Sequence, residues 1–451
     1  MTAINPYSEQ AISSPDLMSD AELEQAVQQA EQASQAMADL SLAERAPLLQ
    51  ALAQALRQHR QPLAELMATE MGKPLTEGLG EVEKAAWCAE HYAEHAAQYL
   101  APMHLASDAS SSYVQYQPLG VILGIMPWNA PVWLVLRFAA PGLMAGNACL
   151  LKHDPHVPGT AQLLGEIFAS VDAPKHWLQF IRADHRQVAE LIARPEIKGL
   201  TLTGSDRAGS AVAAQAGQHL KPVVLELGGS DAALVLEGAD LTKAAKVIAL
   251  SRSINAGQSC IAAKRIIVER SVYPDFVALL QQELAAFTLG DPLLASTKMG
   301  PLARADLRQQ LNAQVEQSVA MGAQLLMGGQ IPEGKGFFYP PTLLTQVTND
   351  MPCARQETFG PVAAVLQAED AEHALALAND SQYGLAAAIW GPVEQCLALA
   401  GRMQTGQVAI NGIVKTDPRL PSGGIKRSGM GRELGPQGIL ALVNAQQIWQ
   451  A

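Results

Sequence analysis

Short apolar runs alternate with helical stretches through most of this chain, and that rhythm constrains the fold more than any other feature. From residue 121 the runs are 121–125, 148–151, 178–181, 199–202 and 223–227, and helical patterns start near Pro131, Val157, His185 and Ser205. Strands that are apolar on both faces belong to a parallel sheet covered by helices on both sides. The arrangement predicted is Rossmann-like. A second alternation follows Glu226, with strands at 232–236, 265–268, 362–366, 385–389 and 407–410 and helices near 240–254, 273–286, 304–321, 370–379 and 393–403. It reads as a second α/β domain.

The first hundred residues read as helices. Ser19 with Glu22, and Ser41 with Glu44, each fit a capping box, after which Leu48, Leu49, Leu52 and Leu56 recur at helical spacing. Residues 113–117 alternate weakly and fit a strand. At 451 residues, two or three domains are expected.

Composition narrows the functional classes. The net charge is -12, which repels phosphate backbones and argues against nucleic acid as a partner. The five cysteines include no Cys-x-x-Cys pair, so a disulfide framework or structural zinc is disfavoured and a reducing compartment is expected. The N-terminus shows no signal-peptide pattern. The most apolar stretch, 119–146, is broken by Pro127, Asn129, Pro131, Arg137 and Pro141, so no membrane span is expected and the cytoplasm is the default.

Five segments carry chemistry. Asn255-Ala256-Gly257-Gln258-Ser259-Cys260 places small residues before a cysteine, letting backbone approach a substrate that a thiolate attacks. Glu226-Leu227-Gly228-Gly229 ends an apolar strand with a carboxylate; partial desolvation there would suit a general base. In Pro127-Trp128-Asn129-Ala130-Pro131, Asn129 fits either an ordinary helix N-cap or an amide donor to an oxyanion. Thr203-Gly204-Ser205 precedes a helix whose N-terminus suits a pyrophosphate, although the glycine pattern is incomplete. In Gln356-Glu357-Thr358-Phe359-Gly360-Pro361, Glu357 suits a ribose diol and Phe359 a flat ring.

Taken in this order, the five segments resemble the aldehyde dehydrogenase superfamily over nearly the whole chain. The resemblance implies a Rossmann-type cofactor domain (1–99 and 119–227), an α/β catalytic domain (228–433) and a small β oligomerisation element (100–118 and 434–451). It implies Cys260 as nucleophile, Asn129 as oxyanion donor and Glu226 as the base that activates water. It assigns Trp128, Lys152, Gly204, Ser205, Glu357 and Phe359 to a nicotinamide cofactor, and implies a homodimer or homotetramer with no metal. Position 155 is proline where NAD-preferring members carry an acid, so a 2′-phosphate is not repelled there; NADP or NAD is expected, with NADP at least as good. Asp154 next door opposes this.

Segments at 151–153, 226–231, 257–265 and 417–421 resemble bacterial succinate-semialdehyde dehydrogenases. Arg137, eight residues after Asn129, matches an arginine that pairs with the substrate's distal carboxylate, and Arg419 adds positive field in a glycine-rich loop segment. The alternatives are a structural salt bridge at Arg137 and a broad aliphatic or aromatic aldehyde dehydrogenase. Ile254 stands where some such enzymes carry a second arginine.

Overall fold

The computed structural model describes residues 2–451; Met1, the start of the expected cofactor domain, lies outside the described residues. Four helices, Asp20–Asp39, Leu42–Gln58, Arg60–Met71 and Leu75–Tyr99, open the chain. Both expected capping boxes form: Ser19 and Ser41 accept from the backbone of Glu22 and Glu44, whose carboxylates reach back. Leu49, Leu52 and Leu56 are fully buried between these helices and the Trp133–Met144 helix. Truncating one of them to alanine costs about 2–5 kcal/mol.

The first sheet has six strands in the order Gly429–Met430, Val223–Glu226, Ile197–Thr203, Val121–Met126, Ala148–His153, Leu178–Ile181. All pairings are parallel except that of Gly429–Met430. The chain starts in the middle at Val121, steps outward to one side, then returns to the other. The order therefore reverses between Val121–Met126 and Ile197–Thr203, and the crevice above their C-terminal ends is where such sheets bind ligands.

The second sheet has seven strands, ordered Gln324–Met327, Thr342–Thr345, Val362–Ala368, Arg265–Glu269, Ala232–Val235, Ala386–Trp390, Gln407–Ile410. Only Gln324–Met327 runs antiparallel. The five strands read from the sequence are its centre and one edge; Gln324–Met327 and Thr342–Thr345 extend the other edge.

Ser111–Pro118 pairs along its length with Val443–Gln450 and, on its other side, with Met103–His104, making a three-stranded arm. Trp449, Met103 and Leu105 are exposed on it. Between the strand Gly429–Met430 of the first sheet and this arm, the short helix Gly435–Leu440 packs into the first core through Leu434, Ile439 and Leu442. Among the described residues, no helix is long and apolar enough to cross a membrane.

Candidate active site

The loop before Cys260 is bent into place by backbone that few residues adopt. Asn255, Ala256 and Gly257 have φ of 53°, 52° and 73° in succession. At Gly257 a Cβ would lie 2.5 Å from the Gly360 carbonyl, so only glycine fits. Several partners hold this conformation. The backbone N–H of Asn255 donates to Glu77 at 2.8 Å, and Gln258 Nε2 donates to the Asn255 carbonyl at 3.0 Å. Arg252, fully buried, donates to the Gly257 carbonyl. Strain of this kind persists only where surroundings over-determine it.

Cys260 follows this loop. It is half-buried, whereas Cys88, Cys149, Cys353 and Cys396 are buried, so among the five it alone is placed to meet a substrate. Burial pushes its thiol up to about 11, while the positive charges of Lys264 and Arg137 pull it down. Lys264, fully buried, donates to the Ser259 and Cys260 carbonyls at 2.9 and 2.6 Å. It also faces Glu357 at 3.4 Å.

Asn129 lies just past Val121–Met126. Its amide does not cap the next helix: the Glu81 carboxylate takes the N–H groups of Val132 and Trp133 at 2.9 and 3.0 Å. Asn129 Nδ2 instead points to the Gln258 carbonyl at 3.2 Å, two residues from the nucleophile. Its own carbonyl is held by Lys73 and Asn255, both at 2.9 Å.

Glu226 ends its strand with the side chain 4% exposed and with no hydrogen-bond partner at Oε1. Burial pushes its carboxyl up to about 8; Arg137 opposes the shift and Glu433 adds to it. A group so placed is protonated below neutrality and becomes a base just above it.

Arg137 projects from the Trp133–Met144 helix and is buried in an ion pair with Glu433. Its Nη2 donates to Thr203 Oγ1 at 3.0 Å, and Thr201 Oγ1 donates to Glu433 at 2.8 Å. The charge of Arg137 is thus already balanced by the protein. Arg419 is exposed, pairs with Asp417 and covers the Trp87 ring. The sequence therefore located Arg137 but not its partner.

The expected cofactor residues gather at the switch-point crevice. Ser205 caps the Asp206–Gln218 helix, accepting from Ala208 at 3.3 Å, with Gly204 just before it. Lys152 ends the adjacent strand; its ammonium is largely buried, and its one hydrogen bond among the described residues is a long 3.4 Å contact to the His153 carbonyl. Trp128 and Phe359 meet edge to face at 5.8 Å. Glu357 accepts from Gly229 N–H at 3.1 Å, and a Cβ at Gly228 would strike its carboxylate at 2.4 Å. A helix N-terminus, an under-partnered buried ammonium and an aromatic wall fit a dinucleotide.

Lys264, Glu77, Lys73, Glu81 and Glu433 were not singled out from the sequence. The charged pair Lys264-Arg265, set directly before an apolar strand, was the one signal available.

The sequence matches the aldehyde dehydrogenase family over residues 1–448. This chain belongs to the aldehyde dehydrogenase family. Within that family it is 49% identical over 390 residues to a Synechocystis protein named "Probable succinate-semialdehyde dehydrogenase", an NADP+ enzyme by name, with 86% of each chain covered. It is 45% identical to an Escherichia coli succinate semialdehyde dehydrogenase named for NAD(P)+, covering 86% of this chain and 84% of that one. The crystal structure of the Streptococcus pyogenes succinic semialdehyde dehydrogenase in complex with NADP+ superposes with a TM-score of 0.97 at 36% identity, covering 99% of both chains. The dehydrogenase fold expected from the sequence is therefore the fold observed.

Proposed function

We propose that this aldehyde dehydrogenase oxidises succinate semialdehyde to succinate with NADP or NAD, using Cys260 as covalent nucleophile. The observation that carries the reading is the placement of one half-exposed cysteine, an amide directed at the loop that precedes it, and one buried carboxylate beside the sheet's switch point. The names of the relatives support the substrate and the cofactor.

The Cys260 thiolate adds to the aldehyde carbon. Asn129 Nδ2 and the Cys260 backbone N–H donate to the oxyanion that forms. A bound nicotinamide would supply the hydride acceptor, and loss of hydride from the carbon attached to Cys260 leaves a thioester there. Glu226, once ionised, takes a proton from water, and the hydroxide equivalent releases the acid. Lys152, Gly204, Ser205, Trp128, Glu357 and Phe359 would hold the dinucleotide. Arg137 and Arg419, the arginines suggested for the substrate's distal carboxylate, are each already paired with a protein carboxylate and would add little unbalanced charge to it.

Residues 1–99 with 119–227 form the cofactor domain in this reading, 228–433 the catalytic domain, and 100–118 with 434–451 the oligomerisation element. The exposed strand edges of the arm favour a homodimer or homotetramer. Acidic charge and unpaired cysteines suit the cytoplasm.

The test compares kcat/KM for succinate semialdehyde and butyraldehyde, with each cofactor, in wild type and Arg137→Ala. A carboxylate-reading site favours the semialdehyde by about 2–4 kcal/mol in wild type, and Arg137→Ala, which leaves Glu433 unmatched, slows both substrates alike. A wild type that prefers butyraldehyde reduces the function to a general aldehyde dehydrogenase.

A further inference from the structure

A carboxylate-bearing substrate calls for a cation whose charge the protein has not already balanced. Arg137 is paired with Glu433. Lys84, on the Leu75–Tyr99 helix, is different. No carboxylate lies within 4 Å of it among the described residues. Its one hydrogen bond there is to Thr416 Oγ1 at 2.6 Å. Its ammonium stands 4.2 Å from the centre of the Trp133 ring. Trp133 is one helical turn before Arg137, so the two cations sit over the same face of one helix.

We propose that Lys84 is the specificity-determining cation of this site, receiving the substrate's distal carboxylate against the indole face of Trp133 and the hydroxyl of Thr416. The inference rests on the semialdehyde reading above and names the group that selects that substrate. Three elements converge on Lys84: its own helix, the Trp133–Met144 helix, and the loop after Gln407–Ile410 that carries Thr416. An ammonium has three donors, and one is used on Thr416. Two remain for a carboxylate.

The electrostatics point the same way. Burial pushes Lys84 down to about 8, and the positive charge of Arg137 adds to the shift. Glu81 and Asp417 oppose the shift from beyond contact distance, and Arg137 is paired with Glu433, so Lys84 is the cation here with no carboxylate in contact. A desolvated cation without a counter-ion is costly, and a purely structural contact between two helices would be met better by an apolar side chain. An incoming carboxylate relieves that cost; an uncharged aldehyde does not.

The experiment measures KM and kcat for succinate semialdehyde and butyraldehyde, and inhibition by succinate and butyrate, in wild type, Lys84→Met, Lys84→Gln and Lys84→Arg. In the Met and Gln variants, KM for the semialdehyde and Ki for succinate rise on the order of 30-fold, with kcat changing far less. Butyraldehyde and butyrate values move by less than about threefold, and Lys84→Arg restores most of the semialdehyde affinity. Gln retains a donor to Thr416 and covers the case in which Met does not fold. Equal losses on both substrates, or an unchanged semialdehyde KM, overturn the role of Lys84 while wild-type preference for the semialdehyde stands. A wild type that prefers butyraldehyde overturns the semialdehyde reading itself, and Lys84 with it.

Discussion

The ammonium of Lys264 donates to the carbonyl oxygen of Cys260 at 2.6 Å. A buried cation thereby fixes the nucleophile's peptide from below and stabilises its thiolate through space. Lys264→Met removes both effects. We expect kcat to fall on the order of a hundredfold with little change in KM. The pH dependence of iodoacetamide labelling should move to higher pH, because a positive charge that lowers the thiol pKa is gone. Labelling that follows the wild-type curve would leave Lys264 with packing alone.

As the proposed base, Glu226 would give the reaction its pH dependence. With its carboxyl raised to about 8 by burial, only about a tenth is ionised at pH 7. The base form is gained as pH rises, so steady-state turnover climbs through pH 8 and then levels. In Glu226→Gln the thioester still forms but is not hydrolysed. Rapid mixing should show one equivalent of reduced cofactor per site, then a stall. Continued turnover at the wild-type rate would remove Glu226 from the mechanism.

The ion pair of Arg137 and Glu433 tunes that base in two directions. Arg137 lowers the Glu226 pKa and Glu433 raises it. Arg137→Ala therefore shifts the pH profile of kcat to the alkaline side, and Glu433→Gln shifts it to the acid side. Each variant also leaves its partner buried and unmatched, at about 3–5 kcal/mol by urea unfolding. Shifts of the same sign in both variants would contradict the arrangement.

Gly257→Ala tests the bent loop. Its φ of 73° and the 2.5 Å approach to Gly360 leave no room for a methyl group. Destabilisation of roughly 2–4 kcal/mol is expected, with a larger proportional loss of activity than of folded protein. Calorimetry beside active-site titration separates the two.

Legibility from sequence followed burial. The central strands of both sheets are apolar on both faces and show as unbroken runs, so 121–125 and 223–227 were readable within one or two residues. Gln324–Met327 and Gly429–Met430 are edge strands, half exposed or glycine-containing, and show no periodic pattern. The family resemblance singled out Arg137 but could not reveal Glu433, because a partner nearly three hundred residues away is set by tertiary packing. Lys84 reads in sequence as one more charged residue on a helix with a solvated face; only the convergence of two further elements half-buries it. Asn129 looked equally suited to capping a helix, and Glu81, a residue from another helix, decided the matter.

The strand Val223–Glu226 gains its last neighbour from Gly429–Met430, some two hundred residues further along the chain. During synthesis the first sheet is made with that edge open and Arg137 without Glu433, while the next two hundred residues follow. The sheet edge and the ion pair are therefore completed only when the segment around 425–442 docks. An early-terminated chain would expose a sheet edge and an unmatched buried arginine, marking it for quality control rather than leaving it as a half-active enzyme.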